Sequence, residues 1–323
     1  MSTRPIQGIH HVTALATDPQ ANVDFYAGVL GLRLVKRTVN FDDPGTYHLY
    51  YGDERGHPGT ILTFFPWPLA RRGTRGTGQA TVTAFSVPEG SLGWWAERLA
   101  AHGVAAETPV PRLDGEVLTL LDPDGLQLEL VAHAGAADVA PWAGGPVDEA
   151  HALRGFHSVT LSVADGEPTA DLLAAMGYAA AGEDGRRHRF VAGGESGEAR
   201  PGTAVDLLVD ANGSRGHVAA GSVHHVAFRA VDNDDQLAWR GRVAGRGLHV
   251  TPVLDRNYFH SIYFREPGGV LFEIATDPPG FTVDEPVETL GEELKLPDWL
   301  EPHRERIEAA LPPILVPVTG EVA

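Results

Sequence analysis

Cysteine is absent from the 323 residues, which excludes disulfides, thiolate metal sites and a cysteine nucleophile. Any metal binding falls to His, Asp and Glu. Positive charge is scarce, with 25 Lys and Arg against 43 Asp and Glu, so the field around the protein is negative and disfavours nucleic acid or an anionic membrane as partner. No apolar run approaches the roughly 20 residues needed to span a bilayer, and the opening Met-Ser-Thr-Arg-Pro-Ile-Gln-Gly lacks the apolar core of a signal peptide. The expected location is the cytoplasm. A phosphate-binding glycine loop, a His-Glu-x-x-His motif and a serine-nucleophile elbow are missing as well.

What is present is concentrated between Gly221 and Ala275. Val223-His224-His225-Val226-Ala227-Phe228 alternates as a strand does, Asn233 to Gly245 has helical spacing, and Tyr258 to Phe264 and Val270 to Ala275 are apolar, aromatic and β-branched runs. The stretch reads as strand, helix and three strands, with imidazoles on the first strand and the carboxylate of Glu273 on the last. Two or three nitrogen and oxygen donors on one curved sheet make most of a metal site. A buried carboxylate without a partner is costly, which favours a metal partner for Glu273.

The same pattern recurs four times along the chain. Module starts are Gly8-Ile9-His10-His11-Val12-Thr13-Ala14, Thr81-Val82-Thr83-Ala84-Phe85, Gly155-Phe156-His157-Ser158-Val159-Thr160 and the Val223 strand. Each is followed by a helical segment, and each module closes on a proline-glycine turn that feeds an apolar strand: Pro58-Gly59, Pro123-Asp124-Gly125, Pro201-Gly202 and Pro267-Gly268-Gly269. The aperiodic Ala, Gly and Pro-rich segment from Ala134 to Leu153 is the natural linker. The expected fold is therefore α+β: four βαβββ modules in two pairs, at 1–140 and 150–280. A tail over 281–323, with a helix from Pro302 to Leu311, is expected to pack across the outside.

A fourfold βαβββ repeat with His at a module start and Glu at a module end resembles the vicinal-oxygen-chelate superfamily of glyoxalases, bleomycin-resistance proteins and extradiol dioxygenases. Within it the chain is most similar to ring-cleaving dioxygenases of the hydroquinone type. The strings that carry this likeness are His10-His11-Val12-Thr13-Ala14, His224-His225-Val226-Ala227-Phe228, Asp255-Arg256-Asn257-Tyr258-Phe259 and Ser261-Ile262-Tyr263-Phe264-Arg265-Glu266-Pro267-Gly268-Gly269. The resemblance implies metal ligation by His11, His225 and Glu273. It also implies a substrate pocket at or near His10, Thr13, His224, Arg256 and Tyr263, with Arg256 holding a substrate oxyanion and Tyr263 or His10 donating a proton or hydrogen bond. Strict strand alternation, taken alone, turns His10 and His224 away from the cavity of their neighbours.

Laying the second and third modules over the other two puts Val82 and Ser158 at the histidine positions and leaves Glu129 as the one match, solvent-facing or salt-bridged. One metal per chain is expected, with a degenerate second cup. Of the remaining histidines, His48 among them, none has ligand spacing, and they are expected to be solvated or hydrogen-bonded. The run Arg186-Arg187-His188-Arg189 reads as a loop or strand edge. Two imidazoles and a carboxylate suit a non-haem Fe(II) oxygenase, with Mn(II) and Zn(II) as alternatives. The expected partners are a small aromatic diol and O2, and a homo-oligomer is left open. The competing readings are a glyoxalase-like lyase or isomerase, which normally needs a second glutamate where this chain has Thr63 or Val82, and a metal-free binding protein, which has no use for the full donor set.

Overall fold

A computed structural model of the chain describes residues 4–193 and 202–316. Four βαβββ modules follow one another. The first is β1 (Ile9–Ala16), α1 (Pro19–Val23), β2 (Arg33–Asn40), β3 (Asp43–Gly52) and β4 (Ile61–Pro66); the second is β5 (Gln79–Val87), α2 (Leu92–Ala101), β6 (Val110–Arg112), β7 (Gly115–Leu121) and β8 (Gln127–Ala132). The third is β9 (Phe156–Val163), α3 (Glu167–Met176), β10 (Tyr178–Asp184), β11 (Arg187–Ala192) and β12 (Ala204–Val209); the fourth is β13 (Ser222–Ala230), α4 (Asn233–Gly245), β14 (Leu254–Asp255), β15 (Phe259–Arg265) and β16 (Leu271–Pro279). Local chemistry sets the helix ends. Asp18 caps α1 by accepting from the Gln20 and Ala21 amides, and Gly177 closes α3 in the left-handed conformation.

The strands form two curled eight-stranded sheets, ordered β14-β15-β16-β13-β1-β4-β3-β2 and β10-β11-β12-β9-β5-β8-β7-β6. Modules one and four share the first sheet, and two and three the second. The segments 1–140 and 150–280 thus each contribute one module to each sheet. Each module leaves one side of its opening strand unpaired, and antiparallel pairing of β1 with β13 and of β5 with β9 satisfies those edges.

Both central pairs are bulged. Ile9 pairs with Phe228 and His11 with Ala227, which makes His10 the extra residue; on the other strand Thr13 pairs with His225 and Ala14 with Val223, which makes His224 the extra one. Thr81 and His157 hold the equivalent places between β5 and β9. A bulge interrupts the pleat, so a residue and its neighbour can share a face.

The module-closing turns are built alike, with Gly59, Gly125, Gly202 and Gly269 all at positive φ. Pro201, placed in the third of these turns, lies outside the described residues. The tail contains α5 (Arg304–Ala310), inside the expected span. It does more than cross the exterior, because Phe281 and Leu290 are buried in an apolar cluster with Tyr50, Ile61, Tyr258 and Phe259. Among the described residues no helix is long and apolar enough to cross a membrane.

Candidate metal centre

Three adjacent strands of the first sheet carry the candidate donors. His11 is on β1, His225 on the neighbouring β13, and Glu273 on β16, which pairs in parallel with β13 so that Glu273 lies opposite Ala227. All three side chains are buried. Nε2 of His225 and Nε2 of His11 lie 2.9 and 3.3 Å from Glu273 Oε2, and 3.3 Å from each other. Ser261 Oγ donates to the other carboxylate oxygen at 2.5 Å, whereas Oε2 is buried and receives no well-directed hydrogen bond. Three buried lone-pair donors within 4.8 Å of one another could hold a cation at their common focus. Among the described residues no other group of three His, Asp or Glu donors is close enough to share an ion.

The electrostatics fit the same use. Burial opposes charge on Glu273, yet the facing imidazoles of His11 and His225 hold its carboxyl well below the ordinary range, so it stays an anion. Burial pushes His225 down, which favours the neutral imidazole that coordination requires.

The extra residues of the two bulges stand directly behind the donors. His10 Nδ1 lies 2.9 Å from His11 Nδ1, and His224 Nδ1 lies 2.7 Å from His225 Nδ1. Each contact needs one N–H and one lone pair. A proton on Nδ1 of His11 and His225 leaves their Nε2 lone pairs free and makes His10 and His224 the acceptors, a support ordinarily given by carboxylates or carbonyls. Burial and the adjacent His11 lower His10 well below its ordinary range, and burial with His225 pushes His224 down to about 3, so both remain neutral acceptors. His224→Ala is expected to weaken metal binding about 10- to 100-fold while leaving the apo protein folded. A chelator-competition titration giving wild-type affinity would remove His224 from this role.

His11 and His225 open onto a cavity of about 280 Å³ walled by aromatic side chains, including Tyr50, Phe65 and Trp67. Thr13, His224, Arg256 and Tyr263 line it too. Alternation was the wrong guide for His224, since its bulge turns it onto the face of His225. His10 is drawn to that side by its own bulge but does not line the cavity; it backs onto His11 and borders a separate space. Arg256 sits 5.6 Å over the Tyr263 ring and reaches Asp42 Oδ2 at 3.1 Å. Burial and nearby Glu273 raise the Tyr263 phenol, which keeps its proton.

Two residues were missed by sequence reasoning. His48 lines the cavity in the middle of a hydrogen-bonded chain: its Nδ1 meets Tyr50 Oη at 2.8 Å, its Nε2 meets Thr63 Oγ1 at 2.8 Å, and Thr63 meets Thr13 at 2.9 Å. The signal available was His48 and Tyr50, two residues apart and so on one face of a strand. The second miss is Asp206, which stands four residues after a turn glycine just as Glu129 and Glu273 do. In the second cup Arg112 donates to Glu129 at 2.6 Å, and Arg187 and Arg189 clamp the buried Asp206 at 2.9 and 2.7 Å. Glu129 is thus salt-bridged, and guanidinium charge fills the place of a metal. The basic run is a turn only at its start, where Arg186 is exposed and pairs with Asp210, whereas Arg187 and Arg189 lie on β11 and reach the buried Asp206.

The fold and site together define a paired βαβββ-module protein with a two-histidine, one-carboxylate centre. A family model for the Glyoxalase/Bleomycin resistance protein/Dioxygenase superfamily matches residues 8–130 and 174–274, and the chain belongs to that superfamily. It is 50% identical over 310 residues to MhqO of Bacillus subtilis, named as a candidate ring-cleaving dioxygenase, covering 96% of this chain and 97% of that one. It is 38% identical over 305 residues to a chlorohydroquinone/hydroquinone 1,2-dioxygenase of Sphingobium indicum, covering 92% and 93% of the two chains. A crystal structure described as a candidate dioxygenase from Bacillus subtilis superposes with a TM-score of 0.91 at 49% identity, covering 97% of this chain and 99% of that one. Maize glyoxalase I shares the fold at a TM-score of 0.62 and 16% identity, covering 84% and 92%.

Proposed function

We propose that this protein is a ring-cleaving dioxygenase that holds Fe(II) on His11, His225 and Glu273 and inserts O2 into a hydroquinone or catechol ring. The observation that carries the reading is the buried three-donor set whose two imidazoles open onto an aromatic cavity with the Arg256 guanidinium and the Tyr50 and Tyr263 phenols on its wall. The names carried by the relatives support the same class of reaction.

Bound Fe(II) supplies the redox chemistry that lets O2 react with an aromatic ring. The chain's own residues do the rest. Arg256 holds the ionised hydroxyl of the diol, Tyr263 keeps its proton and serves as hydrogen-bond donor, and the rings of Phe65 and Trp67 exclude water and face the substrate. His48 bonds Thr63 and, through it, fixes Thr13 on the cavity wall. β4 carries no Asp or Glu and has Thr63 in that place, so it supplies no second carboxylate, which counts against a glyoxalase-like lyase.

The test is anaerobic loading with Fe(II), and in parallel with Mn(II) or Zn(II), followed by oxygen uptake with hydroquinone and with catechol. Uptake matched to ring opening is expected; an iron-loaded protein inert to both diols contradicts the proposal. Arg256→Ala should retain its metal and lose roughly 10- to 100-fold in kcat/KM, the worth of one charged hydrogen bond. An unchanged kcat/KM takes Arg256 out of the pocket.

A further inference from the structure

The diol cavity has a neighbour. A second space of about 220 Å³ is lined by His10, Pro58, Ile61, Tyr258 and Phe281, with Arg55 and His57 also on its wall. Phe259 is the one residue on the walls of both cavities. Its buried ring lies 4.9 Å from the His11 ring and 5.1 Å from the His10 ring, measured between centroids. It is therefore a partition standing beside a candidate metal ligand.

The backbone fixes this partition relative to Arg256. Asn257 adopts a left-handed φ of 65°, and the turn is closed by the Arg256 amide donating to the Phe259 carbonyl at 3.0 Å. One tight turn therefore presents the Arg256 guanidinium and the Phe259 ring to the same cavity. A ring anchored at Arg256 and at the metal has its far edge set by where Phe259 stands.

Resting on the dioxygenase reading, we propose that Phe259 is a specificity-determining residue. Its ring ends the diol cavity and restricts the substrate to a compact single ring, and the space behind it takes an apolar ring substituent once the side chain is made smaller. Ile61, Tyr258 and Phe281, which cluster with Phe259, give that space an apolar side, while Arg55, His57, Asp277 and Thr282 make the rest of its lining polar. A filled wall discriminates by steric exclusion, which truncation removes.

The experiment compares Phe259→Ala and Phe259→Leu with wild type, each with its metal content measured. Two ratios are read: kcat/KM for phenylhydroquinone over hydroquinone with Fe(II), and affinity for 4-phenylphenol over phenol with Zn(II)-loaded protein by calorimetry. Wild type is expected to prefer the small member in both, and Phe259→Ala to raise both ratios about tenfold or more, with Phe259→Leu between. If the alanine variant loses metal through disturbed packing of His11, the leucine variant carries the comparison. Unchanged ratios in metal-replete variants, or a wild type that already accepts the phenyl-substituted members equally, overturn the role of Phe259. Failure of the dioxygenase reading is told apart from this, because it shows as no oxygen uptake with any diol while the phenol affinities still report the wall.

Discussion

Glu273→Gln is expected to yield a folded protein that takes up no stoichiometric iron and shows no oxygen uptake. The substitution keeps the shape of the side chain and the Ser261 contact but removes the one negative charge facing Nε2 of His11 and His225. It also brings an amide into a focus where lone pairs now converge. Loss of a supporting outer-shell partner already costs 10- to 100-fold in metal affinity, and loss of the anionic donor itself should exceed that. The three strands are held by their own ladders, so the variant should fold, but the depressed Glu273 carboxyl means that the facing imidazoles more than offset the cost of burying its charge. Apo Glu273→Gln should therefore be folded but less stable than apo wild type at neutral pH, with the difference shrinking as the pH falls and the wild-type carboxylate is protonated. Bound iron per chain after reconstitution and desalting, together with thermal unfolding of both apo proteins, makes the check. A variant that still holds one iron per chain refutes the assignment of Glu273.

Parts of this arrangement were legible in the sequence because they depend on local chemistry. The turn glycines at Gly59, Gly125 and Gly269, the cap at Asp18 and the carboxylate following its turn at Glu273 are all fixed by residues close in the chain. The bulges were not legible. Apolar alternation through Val12 or Val226 looks the same whether or not one extra residue has been absorbed, so the pleat argument misplaced His224 and gave no hint that His10 stacks behind His11. Nor could local pattern say that the first module pairs with the fourth, since that choice is made between strand edges 214 residues apart at His11 and His225. His48 and Asp206 fell to the same cause: what surrounds a polar residue on an apolar strand depends on which distant strand lies beside it. The guanidinium partners of Asp206, Arg187 and Arg189 of a run that read as a loop or strand edge, became visible only once β11 lay against β12.

Lys36→Met is expected to lower the thermal stability of the protein and loosen its C-terminal tail. Lys36 lies on β2 with no exposed surface, and its ammonium is held by Asp284 at 2.6 Å and by the buried Glu285, above the face of Tyr258. Removing the cation alone leaves Glu285 buried without its partner, a change that costs about 3–5 kcal/mol in comparable ion pairs. For a chain of this size that corresponds to a fall in Tm of roughly 5 °C or more. The effect should reach the second cavity, because Tyr258 Oη donates to Asp284 Oδ2 at 3.0 Å and Phe281 packs on the Tyr258 ring at 5.1 Å. Limited proteolysis should then release fragments cut after residue 280 that wild type resists. Pairing Lys36→Met with Glu285→Met and Asp284→Asn removes the uncompensated charges and should restore most of the lost stability, since an apolar replacement of a buried ion pair is often neutral. A single variant with wild-type Tm and a protected tail would show that the strand ladder and Phe281 alone hold the C-terminal segment; loss of Tm that the triple variant fails to restore would assign the cost to packing of the lysine stem.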